Sequence, residues 1–424
     1  MNVTDRQYAL DLDKNDPLAH FKSKFVITDP AMCYLDGNSL GRLPHATVVA
    51  VNNFLTQEWG PEVVTGWSHW VDEAQPVGDL IGEATLGAAK GQVLACDTTS
   101  VNFYQLCLAA IKARPGRKTI ITDTANFPTD RYILDGIAKE FGLNLVLIDN
   151  ESAGPIKHER ITAEILAPYL NDDVALVTLE VIQYRSGART DIKSITDLVR
   201  SHGGLVVWDA SHAVGAIEMN FDANGVDLAV GCTYKYGNSG PGAPAWLYVS
   251  HSMQKQLQVP IQGWFSQGDQ FGMGPVFEKA DGIRGFQIAS PSLIGLRCIK
   301  TSFEIIKEAG IDAIAHKAAV GTQMMIDLYD AWLAPLGIEL NTSRDPKERG
   351  GHISLVHPDA ARICVALREF ANVIPDYRTP NSIRLAISPL PTSYVEVWDG
   401  FERIRDLVST RQYEKVKEGG SRVT

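Results

Sequence analysis

Six short runs between residues 118 and 250 restrict the fold more than any other feature of this chain: KTIITD (118–123), LNLVLID (143–149), VALVTLEVI (174–182), GLVVWDA (204–210), LAVGCTY (228–234) and PAWLYVS (244–250). Each is rich in β-branched residues and almost continuously apolar. Strands with one wet face would alternate apolar and polar side chains, so these are expected to be covered on both faces. Helical spacing of apolar residues over 129–141, 161–170 and 193–202 separates several of the runs. Strands buried on both faces and linked through helices predict an α/β fold with a mostly parallel central sheet.

Further helices are expected at 45–59 and at 98–112, the second opened by Thr and Ser. The stretch 260–290, with GDQFGMGP, has neither period, and long ordered loops in compact proteins are often functional. From 292 to 335 the pattern is helical. Beyond it HISLVHP (352–358), ARICVALREFA (361–371), SIRLAIS (382–388) and VEVWDGFERIRDLVST (395–410) suggest a smaller α+β domain. At 424 residues the chain exceeds one ordinary domain. The expected organisation is an N-terminal segment (1–45), a large domain (46–295) and a small C-terminal domain (296–424).

Charge narrows the partners. Lys and Arg total 39 against 50 Asp and Glu, a net charge of -11 with no basic patch, so no nucleic-acid partner is expected. No uncharged apolar run reaches the roughly 18 residues of a membrane helix, and the start, MNVTDRQYALDLDKND, lacks the apolar centre of a signal peptide. A cytoplasmic protein without a membrane partner is the expectation. The six cysteines are scattered without a C-x-x-C pair, which argues against a disulfide framework or a zinc site.

Chemistry concentrates in GLVVWDASHAVGAIEMNFDANGVDLAVGCTYKYGNSGPG. One apolar run ends at Asp209 and another at Tyr234-Lys235, about 26 residues later. Ligands of open α/β sheets bind beyond such strand ends. A lone Lys there is ordinarily a solvated loop residue. Paired with the Asp, it suits pyridoxal phosphate, whose aldehyde condenses with an amine and whose pyridine nitrogen needs a carboxylate to stay protonated.

The Asp-x-x-His of Asp209 and His212, followed by Thr-Tyr-Lys-Tyr at 233–236, resembles the kynureninase family. YLDGNSLG (34–41), NFPTDRY (126–132) and GWF (263–265) are similar to that family in the same order. The resemblance implies a fold-type-I pyridoxal-phosphate enzyme, aspartate-aminotransferase-like in its large domain, working as a homodimer with shared active sites. Its expected reaction cleaves the Cβ–Cγ bond of kynurenine or 3-hydroxykynurenine to (3-hydroxy)anthranilate and alanine. It places the Schiff base on Lys235, the pyridinium partner on Asp209 with Asp130 beside it, and the stacking ring on Phe127. Thr99 and Ser100 at a helix N-terminus, with His212, Tyr234, Ser290 and the neighbouring subunit's Trp264, are implied to hold the cofactor. Tyr234 is also a candidate proton relay. Arg384 is implied to take the substrate α-carboxylate, while Trp67, Ala289 and Ser290 stand near the substrate ring; His352 reads as structural.

Several of these residues have plainer readings. Thr99 and Ser100 suit simple helix capping, Phe127 a buried anchor, and Arg384 a strand surface. The chain also departs from the family pattern. Glu180 stands where a Ser or Thr normally touches the cofactor, and Gln267 replaces a His after the GWF run. Glu180 is expected to meet a cation, either Arg185 or a substrate group, and counts as a candidate substrate residue. Two alternatives therefore remain open: another γ-oxo amino acid or a C–S-cleaving β-elimination as the reaction, and a catalytically silent homologue.

Overall fold

The computed structural model describes residues 2–151 and 157–417. Strands are numbered in chain order. β1 is Cys33–Tyr34, β2 Val93–Cys96, β3 Thr119–Asp123, β4 Asn144–Ile148, β5 Val174–Glu180, β6 Leu205–Asp209, β7 Leu228–Gly231 and β8 Ala245–Val249. β9 is Glu339–Leu340, β10 His352–Val356, β11 Val373–Ile374, β12 Asp376–Arg378 and β13 Ser382–Ala386. The principal helices are α1 (Arg6–Asn15), α2 (His45–Asn53), α3 (Thr99–Lys112), α4 (Pro128–Phe141) and α5 (Ile192–Ser201), then α6 (Leu293–Ala309), α7 (Ile311–Leu328), α8 (Ala360–Phe370) and α9 (Tyr394–Ser409).

Seven strands form the central sheet in the order β2-β8-β7-β6-β5-β3-β4. The pairs from β7 through β4 are parallel, whereas β8 is antiparallel to both its neighbours. The reason lies in the connection. No helix intervenes between Gly231 and Ala245, and without a crossover the chain can only turn back antiparallel. All six apolar runs contain strands, and β5, β6, β7 and β8 are buried along their whole length. The four-residue edge strand β2 escaped the sequence reading. The helix expected at 161–170 shrinks to Ala163–Leu166 followed by a short turn, Ala167–Tyr169. The run 228–234 ends as a strand at Gly231, so Lys235 sits in a turn beyond it.

Strand order reverses between β3 and β5, the position at which α/β sheets open a crevice beyond their C-terminal ends. That crevice houses the candidate site.

The described residues form two hydrophobic cores. The larger sandwiches the central sheet and takes Leu296, Ile299, Phe303 and Ile306 from α6. The smaller gathers Met325 and Leu328 of α7, Ile353, Leu385 and Phe401 around the sheet β12-β13-β10-β9. The helical stretch 292–335 breaks at Gly310, whose φ of 79° a side chain would resist, and the second core begins only after it. The boundary expected at 295/296 thus falls inside α6. Residues 1–45 divide between both cores: Leu18, Phe21 and Phe25 join the larger, Ala9, Cys33 and Leu35 the smaller. Asp13 accepts the backbone N–H groups of Tyr394 and Val395 at 2.7 and 3.0 Å, capping the first turn of α9.

Candidate active site

The parallel strands deliver their last residues to one place. Glu180 ends β5 directly opposite Asp209 at the end of β6, and the turn after β7 carries Tyr234 and Lys235. α3 begins beside them, its N-cap Thr98 accepting the Val101 N–H at 3.3 Å. Phe127 precedes Pro128, whose fixed φ opens α4 and sets Asp130 in its first turn. Together these elements enclose a cavity of about 340 Å3 lined by Thr99, Ser100, Phe127, Asp130, Glu180, Asp209, His212, Tyr234 and Lys235. Thr98, Thr129, Ser211 and the Gly242-Ala243 turn complete the wall. Those last positions lacked a sequence signal because their side chains belong to ordinary caps and turns.

The polar geometry is specific. Lys235 Nζ lies 3.3 and 3.0 Å from the two ring nitrogens of His212 and 5.9 Å from the Phe127 ring centre. Phe127 is braced edge-on by Tyr184, with ring centres 5.3 Å apart. Asp209 accepts the Ser211 N–H at 2.7 Å, which fixes the carboxylate at the strand end. Asp130 Oδ2 is buried without a hydrogen-bond partner.

Burial sets the protonation states. It lowers the affinity of Lys235 for a proton and holds His212 neutral, with Lys235 and Arg384 adding to the effect on His212. Burial, followed by the Asp209 charge, lifts Asp130 and Glu180 far above the ordinary carboxylate range. The adjoining Cys232, followed by burial, raises the Tyr234 phenol, which therefore keeps its proton at neutral pH.

Asp123, buried at the end of β3, accepts from Asn150 at 2.9 Å and Gln183 at 3.3 Å. Burial pushes its carboxyl up to about 7. The fold then retains a proton that the unfolded chain releases above about pH 4. Since the native state binds more protons across that interval, stability is full below about pH 4 and falls by up to about 4 kcal/mol as the pH rises through 7. Asp123→Asn is expected to flatten the pH dependence of the urea midpoint of cofactor-free protein between about pH 4 and 7. An unchanged slope would assign that titration to other groups.

Arg384 does not line the cavity. It is fully buried behind His212, with NH1 3.4 Å from Nε2, and it pairs with Asp376 on the neighbouring strand. Ser39 Oγ stands 3.0 Å from NH2, and the Asn38 side-chain oxygen, turned toward Arg384, accepts from Nε at 3.2 Å. YLDGNSLG thus cradles the arginine. Its last residue, Gly41, donates to Tyr234 O at 2.8 Å, and a Cβ there would lie 2.4 Å from Lys235 O, so only glycine admits this approach. The surface-strand reading of Arg384 is excluded by its burial.

The expectation that Arg185 pairs with Glu180 is overturned. Arg185 turns away to Glu159 at 2.6 Å and Glu151 at 2.9 Å. Glu180 is 1% exposed and accepts the Tyr184 N–H at 3.1 Å, so it does not point into solvent either. Trp67, Trp264, Ala289 and Ser290 lie outside the cavity, on the exposed surface of the chain. Gln267 staples its own loop, accepting from the Glu278 N–H at 2.6 Å. His352 is buried beside His212, ring centres 5.8 Å apart, and neither of its ring nitrogens has a hydrogen-bond partner.

Comparison with known proteins gives concordant results. The family model for the kynureninase C-terminal domain matches residues 314–404. Kynureninase of Pseudomonas fluorescens is 31% identical over 423 residues, covering 98% of each chain. Kynureninase of Burkholderia pseudomallei strain K96243 is 33% identical over 417 residues, covering 96% of each. Among solved structures, a cystine C–S lyase in complex with cysteine persulfide superposes with a TM-score of 0.74 at 18% identity, covering 92% of this chain and 99% of that one. A cysteine desulfurase from Thermococcus onnurineus NA1 gives 0.72 at 15% identity, covering 96% and 98%. At those identities the two structures establish the shared fold.

Proposed function

The chain belongs to the kynureninase family, and from that membership we propose that it is a pyridoxal-phosphate-dependent hydrolase of kynurenine or 3-hydroxykynurenine. Its products are (3-hydroxy)anthranilate and L-alanine. The observation that carries the reading is the convergence of Lys235, Asp209 and the Phe127–Asp130 turn on one cavity.

The residues present fit the cofactor. An amine, a carboxylate at a strand end, an aromatic face and a helix N-terminus line one cavity, and the buried Asp130 Oδ2 there lacks a partner. Lys235 would anchor it, Asp209 would face its ring nitrogen, and Phe127 would cover one ring face. Thr99, Ser100 and the first amides of α3 suit its phosphate dianion. When bound, the cofactor supplies the electron sink that makes the substrate Cα proton removable.

The chain's own groups do the rest. Burial disfavours the ammonium form of Lys235, which eases its release of a proton and suits Nζ to accept the Cα proton. Tyr234 keeps its phenolic proton and serves as donor while water adds to the γ-carbonyl and the Cβ–Cγ bond breaks. Arg384, which stands behind His212 and is held by Asp376 and Ser39, takes the α-carboxylate in this reading by turning from Asp376 past the His212 ring.

The test is a substrate panel. Kynurenine and 3-hydroxykynurenine should release aryl amine and alanine in equal amounts. Sulfide from cysteine or cystine, with no aryl amine from either kynurenine, would move the protein to C–S lyase chemistry.

The active unit in this reading is a cytoplasmic homodimer with shared sites. Supporting it, the surface from 43 to 67 exposes Leu43, Val48, Val49, Trp59, Val63 and Trp67, with Val64 at 74%, and Trp264 is 45% exposed and does not line its own chain's cavity. Among the described residues no helix is long and apolar enough to cross a membrane. If Trp264 serves the neighbour's site, Lys235→Ala and Trp264→Ala protomers mixed and reassociated should recover about a quarter of wild-type sites. Activity no higher than the sum of the separate variants would place Trp264 in its own protomer's site.

A further inference from the structure

The C-terminal edge of the central sheet carries four carboxyl groups, Asp123, Asp130, Glu180 and Asp209, none more than 6% exposed. They come from the ends of β3, β5 and β6 and the first turn of α4. Glu180 and Asp209 stand at paired register positions on adjacent strands, roughly 4.8 Å apart in the sheet. Among the described residues no Arg or Lys forms an ion pair with any of the four. Arg185 is committed to Glu159 and Glu151, and Arg384 to Asp376. Lys235, on the cavity wall, bonds to His212 instead.

Glu180 therefore lies beside a second acid, Asp209, buried and without an ion-pair partner among the described residues. A buried acid in that position lowers its energy by keeping its proton. One of its oxygens accepts the Tyr184 N–H, and the other has no partner among the described residues although the side chain lines the cavity. Proton and free valence coincide.

On the premise that the cavity holds pyridoxal phosphate, we propose that Glu180 is a neutral carboxylic acid that donates its O–H to the bound cofactor and leaves the anionic role to Asp209. This explains the departure from the family pattern. An acid O–H replaces the hydroxyl of Ser or Thr as a hydrogen-bond donor, so the substitution preserves the bond and the charge of the site. It also removes the need for a cationic substrate group opposite Glu180. The groups that bear on its proton are Asp209, Asp123 and Asp130, with Lys235 and Arg384 acting in the opposite sense.

Infrared difference spectra of cofactor-free protein at neutral pH test the protonation directly. A carbonyl band of an un-ionised carboxyl should be present in wild type and missing from Glu180→Gln, while Asp130→Asn removes a separate band. If Glu180→Gln does not fold, Glu180→Thr provides the same comparison. Glu180-dependent intensity found only in the carboxylate bands would overturn the proposal. In the loaded protein, Glu180→Gln keeps a donor and the charge, so the pH at which the visible chromophore titrates should stay within about half a unit. A fall of about one unit or more would mean that a negative charge has been removed, and would also overturn it. Failure of every variant, wild type included, to form a chromophore with pyridoxal phosphate would defeat the cofactor premise, with the infrared result still deciding the state of Glu180.

Discussion

Lys235→Ala should abolish turnover, by on the order of 10^4-fold or more, and leave a folded protein that no longer turns yellow with pyridoxal phosphate. The size follows from one amine serving as both covalent anchor and base for the Cα proton. The fold should survive because Lys235 sits in a turn beyond β7, and its side chain contributes no ion pair to either core. Borohydride reduction of the wild type followed by peptide mapping should place the label on Lys235. Label on any other lysine, or residual turnover within tenfold of wild type, would dismiss the assignment.

Asp376→Ala is expected to cost about 3–5 kcal/mol of stability, an effect large for any single substitution. Asp376 and Arg384 are both fully buried and face each other across β12 and β13, so removing the carboxylate strands a guanidinium away from water. Ser39, 3.0 Å from both groups, cannot replace the lost charge. Asp376→Asn, which keeps an acceptor, should lose less. Urea denaturation of the three proteins decides the matter, and a loss under about 1 kcal/mol in Asp376→Ala would show that Arg384 has other support. In the Asn variant KM should change more than kcat, since Arg384 is proposed to hold the substrate rather than to react with it.

Much of this was legible without coordinates. The alternation of doubly buried strands with helices is a local, periodic signal, and it determined the α/β class, the six main strands and the place where Asp209 leaves the sheet. Motif order added the family likeness, and with it Thr99, Ser100, Phe127, Asp130 and His212, all of which line the one cavity. The misses have a common cause. Edge strand β2 is four residues long, too short to show a period, and the reversed direction of β8 depends on a connection rather than on the strand itself. The N-terminal segment divides between two cores because Asp13 and Phe21 find partners hundreds of positions away or across the sheet.

Side-chain company is what the tertiary structure alone decided. Arg185 is five residues from Glu180 in sequence, yet it pairs with Glu159 and Glu151, because beyond a strand end the backbone direction, not the separation, sets where a side chain goes. Arg384 read as an accessible carboxylate ligand or a strand surface; folding buried it against Asp376 in the cradle of YLDGNSLG, a motif more than three hundred positions earlier. The sequence by itself determined the sheet, the cavity's strand-end position and most of the residues that meet there, since each rests on periodicity or order along the chain. Which charges are paired and which acid stands without a counter-ion follow from distances between strands, and those exist only once the chain has folded.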